Sequence, residues 1–296
     1  MTRGTVAAVA GALLAVAFGA YVRWHAADSA GSPAATHARL PVLMIHGSGM
    51  NSSVWTPLVR HLQSHGWPEE YLLAVDLVPD NGANIAAAER QLVPAAQALL
   101  ERAAGRAARE GRDPPGKLAV VGHSMGAVSG RWLAARLIPE RVAVFVAIAG
   151  VNHGSSMLCG RTGEGDRELC RTPSRADRSA VLEQLNGTEG APADETPYGP
   201  ARDPPGVTRQ PPAAAACIAW YAVLIDPDEW VVPAASAHLA GSGGRGLDAL
   251  PAGIERWREG EFVLRTPARH DDLPATPAVM ELVASLLLEP ATACPE

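Results

Sequence analysis

Three residue types, far apart in the chain, could together attack and release a carbonyl group. Ser124 sits in Gly122-His123-Ser124-Met125-Gly126. A serine hydroxyl is a poor nucleophile at neutral pH. It needs a histidine to take its proton, an acid to orient that histidine, and N–H donors for the oxyanion. His270 follows the last apolar run and is the candidate base. His46 and His153 follow earlier runs, His61 and His65 lie on a helical stretch, and His123 stands beside the serine and has to point elsewhere. His238 leads into a glycine-rich stretch with no strand before it. Asp226 and Asp228 both follow the preceding apolar run, and position alone does not choose between them as the acid. The backbone N–H groups of Ser48 and Met125 are the candidate oxyanion donors, with His46-Gly47 as a tight turn that places the first of them.

Five letters of the G-x-S-x-G type recur by chance in a chain with 29 glycines, so the surrounding elements decide their meaning. A strand, a sharp turn and a helix are required around the serine, with tiny residues flanking it. Leu118 to Val121 is a short apolar run, and Ala127 to Leu137 is compatible with a helix. Other buried strands are expected over Leu40–Ile45, Tyr71–Val75, Arg141–Ile148, Ala213–Ile225 and Glu261–Arg265. Helices are expected around Val54–His65, over Ala83–Arg109 and over Pro277–Leu288. Strands alternating with helices imply an α/β fold, a mostly parallel central sheet with helices on both faces. Each candidate residue then lies in a loop at the C-terminal end of a different strand, where open α/β sheets bind ligands.

From Ser155 to Pro212 the pattern dissolves into prolines, glycines and charges, apart from a helical piece around Ser179–Leu185. That stretch reads as a lid-like insertion before the acid strand. Its arginines, from Arg161 to Arg178, alternate with Glu164, Asp166, Glu168 and Asp177 and read as a solvated loop.

With 296 residues the chain can bury a large core, and its net charge of −6 without a basic stripe argues against a nucleic-acid partner. Arg3 precedes an apolar run from Val6 to Val22, between a signal-peptide core and a full membrane span in length. Residues 1–38 are therefore expected to be a signal peptide or membrane anchor plus linker, and residues 39–296 a domain outside the cytoplasm. Four cysteines in an exported protein suggest two disulfides with three pairings available. Cys159–Cys170 would staple the insertion, a loop whose closure contributes about 3 kcal/mol in the chain-entropy model, and Cys217–Cys294 would tie the acid strand to the tail. No C-x-x-C or close Cys/His spacing points to a metal.

Four motifs carry a family resemblance: Val42-Leu43-Met44-Ile45-His46-Gly47 with the Ser48–Trp55 loop, the Ser124 pentapeptide, Asp228-Glu229-Trp230-Val231-Val232-Pro233, and His270-Asp271-Asp272-Leu273 followed by Pro277-Ala278-Val279. Leu185-Asn186 and Asp194-Glu195-Thr196-Pro197 add weaker matches. The chain resembles lipases and esterases of the α/β-hydrolase superfamily, most of all the small secreted bacterial class 2 lipases. The resemblance implies an α/β-hydrolase fold and selects Asp228 over Asp226. It further implies hydrolysis of acylglycerols or aliphatic esters, with no cofactor. Secreted polyhydroxyalkanoate depolymerases share this chemistry and are the alternative within it. A non-catalytic envelope binding protein is the alternative outside it. Met50, Val54, Trp55, Met157, Trp230 and Val231 are the apolar candidates for an acyl-chain surface.

Overall fold

The computed structural model describes residues 39–171, 179–187, 195–200, 213–239 and 247–288. The Val6–Val22 run, the linker to Ala38, Asp177, Arg178, Asp194 and Cys294 lie outside them. Among the described residues no helix is long and apolar enough to cross a membrane.

Successive side chains of a strand point to opposite faces, so a run that is apolar throughout must be covered on both. β1 (Val42–Ile45) is such a run, with every residue buried. It is followed by α1 (Thr56–Ser64), β2 (Leu72–Val75), α2 (Asn84–Ala87) and α3 (Val93–Arg109). Residues Ala88–Leu92 join α2 to α3 as a π-turn. Pro94 explains the widening, since it has no N–H to return to the carbonyl one turn earlier. The next elements are β3 (Leu118–His123), α4 (Met125–Trp132) and β4 (Val142–Ile148). The insertion contributes α5 (Glu164–Glu168), α6 (Ala180–Asn186) and a small antiparallel pair, β5 (Glu195–Thr196) and β6 (Gly199–Pro200). Then come β7 (Ala219–Ile225), β8 (Ile254–Arg258), β9 (Glu261–Leu264) and α7 (Pro277–Leu288).

The large sheet runs β2-β1-β3-β4-β7-β9-β8. Its neighbours are parallel except β8, which pairs antiparallel with β9. On one face Leu43 and Ile45 pack with Leu92, Leu99, Val128 and Leu133; on the other, Val42 and Met44 pack with Leu58, Leu62, Leu282 and Val283. This is the α/β-hydrolase architecture, helices on both faces of a mostly parallel sheet. The chain leaves β1 for β2 on one side and returns to β3 on the other. That reversal of direction opens a crevice beyond the C-terminal ends of β1 and β3.

Three expectations need correction. The elbow helix begins at Met125, immediately after the serine, rather than at Ala127. Ala213–Cys217 is a 3₁₀ turn, and the strand starts only at Ala219. The edge strand β8 was not anticipated, because most of its residues are exposed and polar and form no apolar run. The described parts of the insertion include regular elements held against the elbow helix. Arg131 of α4, fully buried, donates to Asn186 Oδ1 (2.6 Å) and to the carbonyls of Leu185 (2.8 Å), Thr196 (3.2 Å) and Pro197 (2.5 Å). Burial draws the Arg131 guanidinium down to about 10, against the opposing pull of Glu195, so it stays charged at neutral pH.

Candidate active site

β3 delivers Ser124 to the crevice with φ 54° and ψ −123°, a backbone conformation that a non-glycine residue adopts at a cost of about 1–3 kcal/mol. Neighbouring chain holds it there. Its N–H donates to the Ile148 carbonyl at 3.0 Å, and its own carbonyl accepts from Ala127 and Val151. The flanking glycines are sterically obligatory. A Cβ on Gly122 would lie 2.5 Å from Ala127 Cα, and one on Gly126 would lie 2.3 Å from the His46 carbonyl oxygen.

His270 lies in the turn after β9 and is 1% exposed. Its Nδ1 donates to Asp228 Oδ2 at 2.9 Å. The other oxygen of Asp228 accepts the backbone N–H groups of Trp230 (2.8 Å) and Val231 (2.9 Å), so both oxygens of the buried carboxylate are satisfied. Ser155 braces the same loop, donating to the Trp230 carbonyl and accepting from the Val232 N–H. The His270 backbone is held on both sides, by Glu229 Oε1 on its N–H (2.9 Å) and by His123 Nε2 on its carbonyl (3.0 Å). Because Nδ1 is committed to Asp228, the free position of the imidazole is Nε2, which has no hydrogen-bond partner among the described residues. Asp226, by contrast, is exposed and borders a different cavity, beside His238 and Trp257.

His123 lines the same cavity as Ser124, with its Nε2 on the His270 carbonyl. Its ring lies 4.7 Å from that of His270, tilted by 44°, and burial, reinforced by the neighbouring His270, holds it well below the ordinary histidine value of 6.5. It is therefore neutral, and its Nε2–H is the proton given to the His270 carbonyl. His46 is wired at both nitrogens. Nδ1 donates to the Gly47 carbonyl at 2.8 Å, and Nε2 accepts the Leu77 N–H at 3.0 Å. That wiring fixes the Gly47–Met50 turn against the serine; a Cβ on Gly47 would lie 3.0 Å from Ser124 Cβ. Met125 opens α4, and the first N–H groups of a helix have no carbonyl within it to bond. The Ser48 hydroxyl is buried without a partner among the described residues.

Ser124, His270 and the Gly47–Met50 turn share one cavity of about 210 Å³, with an apolar wall of Val151, Leu158 and Trp230. Of the apolar candidates named from sequence, Met50 and Trp230 line it. Trp55 and Val231 are instead fully buried core, and Met157 is exposed. Arg161 was missed. Its guanidinium lies 5.2 Å over the Trp230 ring and its Nε donates to Asp166 Oδ2 at 3.1 Å, beside the Cys159–Cys170 disulfide. Of the expected solvated loop, Glu164, Arg167 and Arg171 are exposed, but Asp166 is 1% exposed and Glu168 accepts from Asn84 N and Nδ2; Asp177 and Arg178 lie outside the described residues. Alternating charges in sequence carry no signal of which ones find buried partners. Cys217 is also disulfide-bonded.

No protein-family model and no curated protein matches the chain. Solved structures do. Lipase B of Aspergillus fumigatus superposes with a TM-score of 0.55 at 14% identity, over 89% of this chain and 56% of that one. This chain thus spans little more than half the length of that relative. A Bacillus licheniformis lipase in its mature form gives 0.49 at 13% identity, over 87% and 94% of the two chains. A pyrethroid hydrolase gives 0.45 at 19% identity, over 84% and 97%. At these identities the likeness is one of fold.

Proposed function

We propose that the chain is an exported serine hydrolase that cleaves carboxylic esters through an acyl-enzyme. The observation that carries this reading is the 2.9 Å bond from His270 Nδ1 to a satisfied, buried Asp228, with His270 Nε2 left open on the cavity that holds Ser124. Ser124 Oγ attacks the ester carbonyl as His270 Nε2 takes its proton. Asp228 orients the ring and stabilises the imidazolium. The N–H groups of Ser48 and Met125 receive the developing oxyanion. Collapse of the tetrahedral species expels the alcohol, which takes the proton back from His270, and water repeats the cycle to free the acid. No cofactor enters these steps.

The apolar wall of Met50, Val151, Leu158 and Trp230 suits an acyl chain, which favours acylglycerols or aliphatic esters as substrates. Lipase B is a lipase by name, and the shared scaffold is in keeping with that choice. The disulfide at Cys159–Cys170 and the Arg3-led apolar run support export. Ser124→Ala should abolish turnover of p-nitrophenyl esters with its melting temperature kept, and a fluorophosphonate should label only the wild type. Residual turnover in the pure variant would overturn the assignment. No adduct on the wild type would favour a non-catalytic binding protein. A chain-length series run beside emulsified triacylglycerol and a polyester film separates esterase, lipase and depolymerase.

A further inference from the structure

Away from the cavity, α1 and α7 lie on the same face of the sheet, with Leu58, Leu62, Leu282 and Leu286 in one buried cluster. Along this seam His61 and His65, four residues apart on successive turns, meet Glu281 of α7. His61 Nε2 is 3.3 Å and His65 Nε2 3.8 Å from the same oxygen, Glu281 Oε2, and the three ligand atoms all lie within 4.8 Å of one another.

The hydrogen bonds around the two rings set this grouping apart. His65 Nδ1 lies 2.9 Å from the His61 carbonyl, which can only accept, so Nδ1 carries the hydrogen. In the neutral ring, Nε2 is then a bare lone pair turned toward a carboxylate. A backbone carbonyl on the far nitrogen is also the arrangement that orients metal-bound histidines. Arg39 fixes the residue further, donating Nε (3.0 Å) and Nη2 (2.7 Å) to the His65 carbonyl. His61 Nε2 is buried and, although 3.3 Å from Glu281 Oε2, makes no hydrogen bond of acceptable geometry. His61 Nε2, His65 Nε2 and Glu281 Oε2 thus form a compact set of three possible ligand atoms.

We propose that His61, His65 and Glu281 form a zinc site that clips α1 to α7. Tetrahedral zinc, with bonds of about 2.0–2.2 Å to nitrogen and oxygen, separates its ligands by roughly 3.4 Å, close to the 3.3 and 3.8 Å found here. Two imidazoles and one carboxylate suit this metal, and the half-exposed Glu281 leaves a side for a water as fourth ligand. The clip is structural rather than catalytic, since none of the three residues lines the Ser124 cavity. It joins the helix that follows the oxyanion turn to the helix that follows His270.

The test uses the tag-free full-length chain, stripped with EDTA and titrated with zinc chloride against a competing chelator. Cobalt(II) absorption serves as an independent report of four-coordinate N/O ligation. About one equivalent should bind and raise the melting temperature by about 5 °C at saturation. His65→Gln and Glu281→Gln should each weaken binding about 100-fold or more and lose the thermal shift. Absence of saturable uptake, or uptake unchanged in both variants, overturns the site. So does a Glu281→Gln penalty that is the same in EDTA and in zinc, which would make the contact a proton-shared ion pair only.

Discussion

Gly126→Ala tests whether the elbow is held by contact with β1. An alanine Cβ there would lie 2.3 Å from the His46 carbonyl oxygen and 2.5 Å from that of Ile45, whereas a comfortable C···O approach is about 3.3 Å. The shortfall of about 1 Å falls on main chain at both points, so no side-chain rotation relieves it. Either the N-terminus of α4 withdraws, taking the Met125 N–H with it, or the His46–Gly47 peptide shifts and takes Ser48. A displacement of about 1 Å at a reacting centre lowers rates by about 10²-fold, and loss of one oxyanion donor by about 10²–10³-fold. Overpacking of this kind destabilises by about 1–3 kcal/mol. The assay is steady-state hydrolysis of p-nitrophenyl butyrate beside thermal melting, with the fall expected in kcat rather than KM. Gly105→Ala is the control. That site is exposed on α3, its nearest atom to a new Cβ is Arg109 Nη1 at 3.7 Å, and the change should leave kcat unaltered. A Gly126→Ala enzyme with kcat and melting temperature both at wild-type values would refute the close-contact argument.

Asp228→Asn should lower kcat/KM by about 10⁴-fold, because the amide cannot hold His270 in the required tautomer, while Asp226→Asn should change little; the reverse ranking would move the acid to Asp226. His123 should govern stability on the acid side. Burial keeps it neutral in the native state well below 6.5, whereas the unfolded chain protonates near that value. Its contribution is therefore complete above pH 6.5 and falls as pH drops below it, with a limiting slope of about 1.4 kcal/mol per unit. Urea unfolding between pH 5 and 7.5 should show that limb in the wild type and not in His123→Gln, which keeps a donor toward the His270 carbonyl; equal slopes would sink the assignment.

What could be read in the sequence followed from periodicity and from loops with a steric signature. β1 and β4 are apolar from end to end, and β3 over Leu118–Val121, because both faces are covered, and such runs are legible without a partner. The Ser124 pentapeptide is legible because its two glycines answer collisions with main chain. Asp228 and Asp226 could not be separated by position, since what distinguishes them is burial and the two N–H groups that fold back onto Asp228. Leu158 and Arg161 escaped notice because their place in the cavity wall depends on a disulfide and on Asp166 finding a buried position. β8 escaped because an edge strand facing water has no apolar run.

Arg131 bears on how this scaffold could change. A cation with no exposed surface on the elbow helix is satisfied by carbonyls and an amide from Leu185, Asn186, Thr196 and Pro197. Stripping a buried charge of its partners destabilises by about 3–5 kcal/mol, a large share of a typical domain's margin. The segment from α6 to β6 is thus not an accessory that could be deleted or exchanged by itself. A shortened or chimeric version would have to replace Arg131 in the same step, with an apolar residue of similar volume. Variation that reaches the cavity through the Cys159–Cys170 loop leaves the partners of Arg131 in place, whereas variation on the segment behind it does not.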